Sequence, residues 1–341
     1  MKKTLKAAVA LSVLTAPAYA ANLENPLYMP SQGSVYSKTS AGVMYKIADD
    51  TAAMKLKHHD GATEFPIWRL HEELGYGILD NLEAYAKFGY THDDDISRKG
   101  MHLGRAGLKY RALEMSGYVW DLYADAQLGG ISEMSGAYTA TGFDYDNYSN
   151  GRWGFHVGTQ FGKQFDKFSV AAFAEVLRTF GNDNNSIDIS GMLVDTDKLG
   201  FGMGIVPATA FGLPSEISVN LKSTTEVNAG LKAFYQMNDK WSFGTAFTYK
   251  HHADNGVESL ATAVDKTNTK TATAVKVLEN MVADMNDGFD EYILGLSAAY
   301  QMTETTQVAV YGEYTLDTAH DQSQNGTDVK AELGVRLNVQ F

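Results

Sequence analysis

The sequence of 341 residues contains no cysteine, only six prolines and no uninterrupted apolar stretch of about 18 residues. The absence of cysteine excludes disulfide bonds, thiol catalysis and the attachment of a lipid to a cysteine. The absence of a long apolar stretch argues against membrane-spanning helices, which need about 20 predominantly apolar residues. By contrast, 16 Phe, 19 Tyr and 32 Gly are high numbers for an ordinary soluble domain.

Basic residues are also scarce, since 28 Lys and Arg stand against 41 Asp and Glu. Nucleic-acid binding depends largely on Lys and Arg side chains that neutralise phosphates, so we expect no nucleic-acid partner. A simple alternative explanation of the acidic balance is the solubility of exposed loops. No motif in the sequence indicates a catalytic centre, a cofactor or a metal site, and we expect none of them.

The first twenty residues have the features of a secretory signal peptide. Lys2, Lys3 and Lys6 form a basic head, an apolar stretch of eight residues follows, and Ala-Tyr-Ala at 18–20 forms a cleavage site of the small-x-small type. The apolar stretch is too short for a membrane anchor. We therefore predict cleavage after Ala20.

The main pattern in the rest of the chain is the alternation of apolar and polar residues with a period of two. Because successive side chains of a strand point to opposite faces, this pattern predicts strands with one apolar and one polar face. The clearest case is the C-terminal segment, where the apolar positions are Val329, Ala331, Leu333, Val335, Leu337, Val339 and Phe341.

Most of the alternating segments run for 10 to 15 residues. Strands of soluble sheets are usually about 5–6 residues long, whereas tilted strands that cross a bilayer need about 9–11. After a short leader at 21–33, we predict an all-β fold at 34–341, a transmembrane antiparallel up-and-down barrel of about fourteen strands. The predicted strands are 34–47, 65–78, 82–92, 100–112, 116–129, 150–162, 167–180, 198–209, 215–223, 226–237, 240–253, 288–302, 305–318 and 327–341.

The strand count has an alternative, because the seventh to tenth predicted strands surround Pro207 and Pro214. If one hairpin in this region is an inserted loop, the barrel has twelve strands. Short turns alternate with long connections along the chain, which is the pattern of outer-membrane barrels with periplasmic turns and external loops. An even number of strands places both termini on the periplasmic side.

Aromatic residues of the apolar faces cluster near both ends of the predicted strands. Two such belts are typical of barrels whose amphipathic rings lie at the two membrane interfaces. The alternative is a soluble two-sheet sandwich with these rings in its core. The predicted belts comprise Tyr76, Tyr110, Tyr118, Trp120, Phe161, Phe168, Tyr235, Trp241, Tyr300 and Phe341 near the short turns, and Trp68, Tyr90, Trp153, Phe180, Tyr249, Tyr292 and Tyr314 near the long connections.

The C-terminal strand resembles the assembly signal of bacterial outer-membrane proteins, with Gly334, Leu337, Val339 and a terminal Phe341. With the signal peptide and the alternation, the whole chain after residue 20 is similar to the Gram-negative outer-membrane β-barrel superfamily. The leader at 21–33 is too short for the plug of siderophore receptors or the hatch of fatty-acid transporters, so the resemblance is nearest to monomeric porins. It implies outer-membrane lipid and lipopolysaccharide as surroundings, and the barrel-assembly machinery as a partner during insertion.

The polar faces of the predicted strands would line the lumen of such a barrel. Charged side chains there must be hydrated or paired, which predicts a water-filled pore of modest width. The predicted pore-lining residues are Lys38, Lys87, Arg105, Lys109, Arg111, Asp121, Asp125, Glu313, Asp317 and Arg336.

Two interpretations of these charges remain open. Basic and acidic residues on different strands could form oppositely charged sectors that order solutes by charge. Alternatively, Arg105, Lys109 and Arg111 pair with Asp121 and Asp125 across one hairpin.

We predict a porin-like channel for the passive diffusion of small hydrophilic solutes or ions. One alternative is an outer-membrane barrel enzyme, either a protease with Asp and His at the rim or a lipid hydrolase. The rim of the barrel offers His92, residues 93–95, Asp317 and His320 as candidates, although no motif matches closely. A second alternative is an adhesin or structural barrel that acts through its external loops.

The longest connection, at 254–287, contains a possible amphipathic helix. Its apolar face would comprise Val275, Leu278, Val282 and Met285. This segment could form a gate over the pore, or it could be an exposed surface loop.

Overall fold

The computed structural model describes residues 22–48, 66–93, 98–128, 135–139, 142–145, 152–188, 193–195, 205–207, 210, 215–253, 257–260, 288–319 and 327–341. The predicted signal peptide lies outside the described residues, as does the predicted helix in the longest connection. Within the described part of the chain, no helix has the length and apolar character needed to cross a membrane.

Strands make up almost all of the regular structure in the described residues. In chain order they are β1 (Val35–Ala48), β2 (Ile67–Leu79), β3 (Leu82–Asp93), β4 (Arg98–Met115), β5 (Tyr118–Gln127), β6 (Ser135–Thr139), β7 (Gly142–Tyr145), β8 (Gly154–Gln164), β9 (Phe168–Thr179), β10 (Asn182–Asp188), β11 (Leu193–Asp195), β12 (Ile205–Pro207), β13 (Glu216–Leu221), β14 (Thr224–Gln236), β15 (Trp241–His252), β16 (Val257–Leu260), β17 (Phe289–Gln301), β18 (Thr306–Ala319) and β19 (Thr327–Gln340).

Twelve of these strands form one closed barrel in the order β1-β2-β3-β4-β5-β8-β9-β14-β15-β17-β18-β19. All neighbours are antiparallel, and β19 closes the barrel against β1. At this seam the Phe341 N–H donates to the Val35 carbonyl at 2.8 Å, and the Val35 N–H donates back at 3.3 Å. Each barrel strand therefore has a partner on both sides.

Short turns lie at one end of the barrel, which we call the turn end, and the long connections leave from the opposite loop end. Between β4 and β5 the turn consists of Ser116 and Gly117, with φ angles of 53° and 80°. Positive φ at both central residues is the geometry of a type I′ turn, whose twist matches that of the flanking strands. The local sequence thus supports the tight hairpin there.

The prediction of fourteen barrel strands is wrong, and the alternative of twelve is confirmed. The two surplus strands are 198–209 and 215–223. In the first of these, β12 pairs with β11 in a separate two-stranded sheet, and in the second, β13 pairs with β10 and β16 outside the barrel. The reason is that β9 pairs directly with β14 along Phe168–Thr179, which leaves no position for another hairpin.

The strands outside the barrel form two small sheets. One has five strands in the order β16-β13-β10-β6-β7, and the other consists of β11 and β12. All of these strands come from the long connections between barrel hairpins. The long connections therefore carry regular structure of their own.

The outer face of the barrel is apolar, as the alternation predicts. In β5 the exposed positions Tyr118, Trp120 and Leu122 alternate with the buried Val119 and Asp121. Most of the predicted belt aromatics are exposed at the outer surface, from Tyr76 and Trp241 near the turns to Trp68 and Trp153 near the loop end. A soluble sandwich would bury these rings, so that alternative does not describe the fold.

Candidate functional site: a charged lumen

The polar faces of the barrel strands enclose a cavity of about 540 Å³. Its wall carries charged side chains, tyrosines and several glycines, and part of it is formed by the residues that precede β1. Of the predicted pore-lining residues, the following contribute to this cavity: Lys38, Lys87, Arg105, Lys109, Asp121, Glu313 and Arg336. Asp317 lies in β18, but its side chain falls outside the described residues.

Residues 22–34, which we call the leader segment, lie inside the turn end of the barrel. Leu27 is buried against Val119 and Ala171. A Cβ atom on Gly162 would approach the Leu27 Cδ2 atom to 2.7 Å, so a glycine is needed at this contact. The leader segment thus fills part of the lumen through apolar packing.

Polar contacts attach the leader segment to strands around the barrel. The Asn22 side chain donates to Gln236 at 2.6 Å on β14 and accepts from Gln307 at 3.1 Å on β18. On the opposite side, the Arg111 guanidinium donates to the Leu27 carbonyl at 2.6 Å. The leader carries no alternation and no motif, so its sequence predicts only a short connection.

Glu24 makes the strongest of these attachments. Its carboxylate accepts two hydrogen bonds from Arg336 at 3.0 Å and one from Asn338 at 2.8 Å, both on β19. Burial alone would raise the pKa of the Glu24 carboxyl, but the charge of Arg336 and these hydrogen bonds outweigh burial and hold the pKa below its ordinary value. Glu24 is therefore ionised at neutral pH and fastens the leader segment to the last strand.

A dense ionic cluster covers the inner face of β1, β2 and β3. The Glu73 carboxylate lies 3.3 Å from the ammonium groups of both Lys38 and Lys87. Nearby, Lys109 on β4 reaches Glu83 at 2.6 Å, and its ammonium also donates to the Tyr28 carbonyl. These contacts place two of the predicted pore-lining lysines on one shared carboxylate.

Ion pairs also join β4 to β5. Arg111 and Asp121 are both buried and lie 2.9 Å apart, while Arg105 is 4.0 Å from Asp125. The hairpin-pairing interpretation therefore describes Arg105 and Arg111. Lys109 pairs with Glu83 on the other neighbouring strand instead, which alternation alone could not indicate.

A histidine that the sequence analysis did not select lies at the centre of this wall. His156 on β8 places Nδ1 2.7 Å from Asp125 and Nε2 2.7 Å from Glu175. Tyr85 donates to Asp125 at 2.7 Å, and Tyr123 donates to Glu175 at 3.1 Å. With a carboxyl group at both ring nitrogens, the imidazole bridges Asp125 on β5 and Glu175 on β9. Its only signal in the sequence is its place on the polar face of β8.

The inner face of β14, β15, β17 and β18 is different. Small residues predominate there, including Gly244, Ala246, Gly295 and Ser297. Lys232 on β14 projects into the same cavity, with its ammonium 4.4 Å from the centroid of the Phe173 ring. This side of the lumen is the more open one.

No family model matches the sequence, and no curated protein matches it. Among solved structures, an outer membrane channel from Pseudomonas putida F1 is similar over 93% of this chain and 98% of that chain, with 14% identity and a TM-score of 0.52. The fold is that of an outer-membrane β-barrel. The NanC porin aligns with 88% of this chain and 98% of its own, at 9% identity and a TM-score of 0.42. The CymD monoaromatic hydrocarbon channel aligns with 92% of this chain and 89% of its own, at 10% identity and a TM-score of 0.41.

In this barrel, the predicted assembly residues lie on β19 and just after it. Leu337 and Phe341 are exposed on the outer face. Gly334 faces inward, where a Cβ atom would clash with the ring of Tyr311. The glycine thus has a packing role inside the barrel, separate from any role as a signal.

The residues proposed for a rim enzyme in this barrel are only partly described. His92 and Asp93 end β3, whereas residues 94 and 95 and His320 lie outside the described residues. The described part of the chain brings together no group of three or more His, Asp or Glu side chains suited to a metal ion.

Proposed function

We propose that this protein is an outer-membrane channel for the passive diffusion of small hydrophilic solutes, without a catalytic step. The observation that carries the proposal is the combination of an apolar outer wall with a charged internal cavity of about 540 Å³. Charged side chains inside a barrel are tolerated when they are hydrated or paired, so the lumen holds water and polar solutes.

The proposed orientation has the turn end and both termini in the periplasm and the long connections outside the cell. After cleavage behind Ala20, the leader segment would narrow the periplasmic mouth of the channel. The apolar belts would contact outer-membrane lipid and lipopolysaccharide. Leu337, Val339 and Phe341 would serve the barrel-assembly machinery during insertion.

Single-channel recording in a planar bilayer tests the proposal. Refolded protein should give discrete conductance steps in potassium chloride, and a salt gradient should yield a defined reversal potential. Heat-modifiable mobility on a gel should confirm in parallel that the barrel is folded. A folded and inserted barrel that stays electrically silent would contradict the channel proposal.

A further inference from the structure

Two charged side chains of the lumen differ from all the others described along the cavity wall. Lys232 and Glu313 have no ion-pair partner within 4.0 Å among the described residues. Their charged neighbours are already paired. Glu175 is bonded to His156 at 2.7 Å, and Arg336 is bonded to Glu24 at 3.0 Å.

The other charges that act on these two groups are engaged in the same way. Glu332, beside Glu313, forms an ion pair with Arg69 at 3.1 Å. Lys250 is held by Glu291 at 3.3 Å. An ammonium that contacts only the Phe173 ring, and a carboxylate that has no ion-pair partner among the described residues, are costly in a confined lumen unless water or a solute compensates them.

The strand register places Lys232 and Glu313 in a single row. Lys232 is paired in register with Ala246, Ala246 with Gly295, and Gly295 with Glu313. The row crosses three strand spacings, or about 14 Å along the wall. Between the two charges the floor consists of Ala246 and Gly295, and both residues line the cavity of the described part of the chain.

We propose that this row is a binding site for zwitterionic solutes of short-peptide size, because the two charges of a single amino acid lie too close together to reach both ends of the row. The solute carboxylate would lie at the Lys232 ammonium, its ammonium group at the Glu313 carboxylate, and its body over Ala246 and Gly295. A simple anion would compensate only Lys232, and a simple cation would compensate only Glu313. The inference rests on the proposed function, because it names the class of solute that the channel prefers.

The test is a ligand-observed NMR titration of the folded barrel in detergent micelles, with glycylglycine as the zwitterion. N-acetylglycine, which lacks the ammonium group, and glycinamide, which lacks the carboxylate, are the matched probes. Glycylglycine should bind more tightly than either. Lys232→Met and Glu313→Gln should each weaken its binding about tenfold, the effect of losing one charge-assisted contact. Lys167→Met, in the turn between β8 and β9, is the control and should change nothing.

A charge exchange keeps the test informative if a single variant misfolds. The double variant Lys232→Glu with Glu313→Lys should regain glycylglycine binding, because the solute can bind in the reverse direction. Equal binding by wild type and both single variants would overturn the inference, as would the absence of binding to the wild type. Because NMR needs no conduction, a silent barrel that binds glycylglycine contradicts only the proposed function, and a conducting barrel that does not bind it contradicts only the inference.

Discussion

Charged side chains on the two sides of the lumen differ in whether they form ion pairs. On the paired wall, formed by β1 to β5 and β8, most charged side chains contact an opposite charge, as in the buried pair of Arg111 and Asp121. On the open wall, formed by β14, β15, β17 and β18, Lys250 and Glu291 are paired, but Lys232 and Glu313 face the cavity across Ala246 and Gly295. Ion pairs that satisfy one another hold strands together, whereas charges without partners remain available to a solute.

The largest effect should come from breaking the buried pair of the paired wall. In Asp121→Ala the Arg111 guanidinium stays buried and keeps only the exposed carboxylate of Glu114, so we expect the free energy of unfolding to fall by about 3–5 kcal/mol. Urea unfolding of the barrel in lipid vesicles, followed by tryptophan fluorescence, measures this change.

Lys232→Met is the comparison variant for that experiment. It removes a charge that has no ion-pair partner among the described residues and keeps an apolar side chain beside the Phe173 ring, so the stability of the variant should equal or exceed that of the wild type. If the two substitutions destabilise the barrel equally, the distinction between the paired and the open wall is lost.

Reversing two charges of the paired wall should alter both selectivity and stability. The double variant Arg105→Glu with Lys109→Glu adds negative charge to the lumen and should shift the reversal potential toward cations. It also places new carboxylates against Asp125 and Glu83, so we expect a loss of stability that the sequence alone did not predict. Unchanged selectivity would mean that these residues serve strand pairing only.

The attachment of the leader segment should have an intermediate effect. Glu24→Ala removes the charge-assisted hydrogen bonds from Arg336 and Asn338, which together stabilise the attachment by about 1.5–3 kcal/mol. A released leader segment should increase single-channel conductance and become accessible to protease. Conductance and cleavage identical to those of the wild type would show that Leu27 and Asn22 suffice to hold it.

The smallest effect should be the response to pH. Because the folded-state pKa of Glu24 is depressed, its contribution to the attachment is complete above its ordinary pKa and is lost as pH falls through the depressed value. Conductance should therefore rise on acidification below the ordinary carboxyl range. Glu24→Gln should lack this rise, and a rise of equal size in that variant would assign the effect to other groups.

The barrel was predictable because alternation is a local property that each strand carries by itself. Membership of the barrel is not local. The segment 215–223 alternates like a barrel strand, yet β13 pairs with β10 and β16, because β9 and β14 are already partners. A sequence pattern identifies a strand, but only its neighbours decide which sheet it joins.

Alternation also does not identify which side chains contact one another inside the lumen. Alternation identified Lys109 as inward-facing, but its partner, Glu83, follows from the register between β3 and β4. The contacts of His156, and the position of Lys232 relative to Glu313, depend on residues of other strands. The predicted list therefore contained side chains of the paired wall for the most part, and it included only Glu313 from the row on the open wall.

The position of the leader segment has a consequence for the order in which the chain assembles. Its polar contacts reach Gln236, Gln307 and Asn338, which lie 214, 285 and 314 residues away from their partners in sequence. Contacts of such separation form late, because the intervening chain must first be ordered. A chain that lacks β18 and β19 offers the leader segment neither Gln307 nor Arg336. We therefore expect the leader segment to dock in one of the last steps of folding, after the barrel has closed.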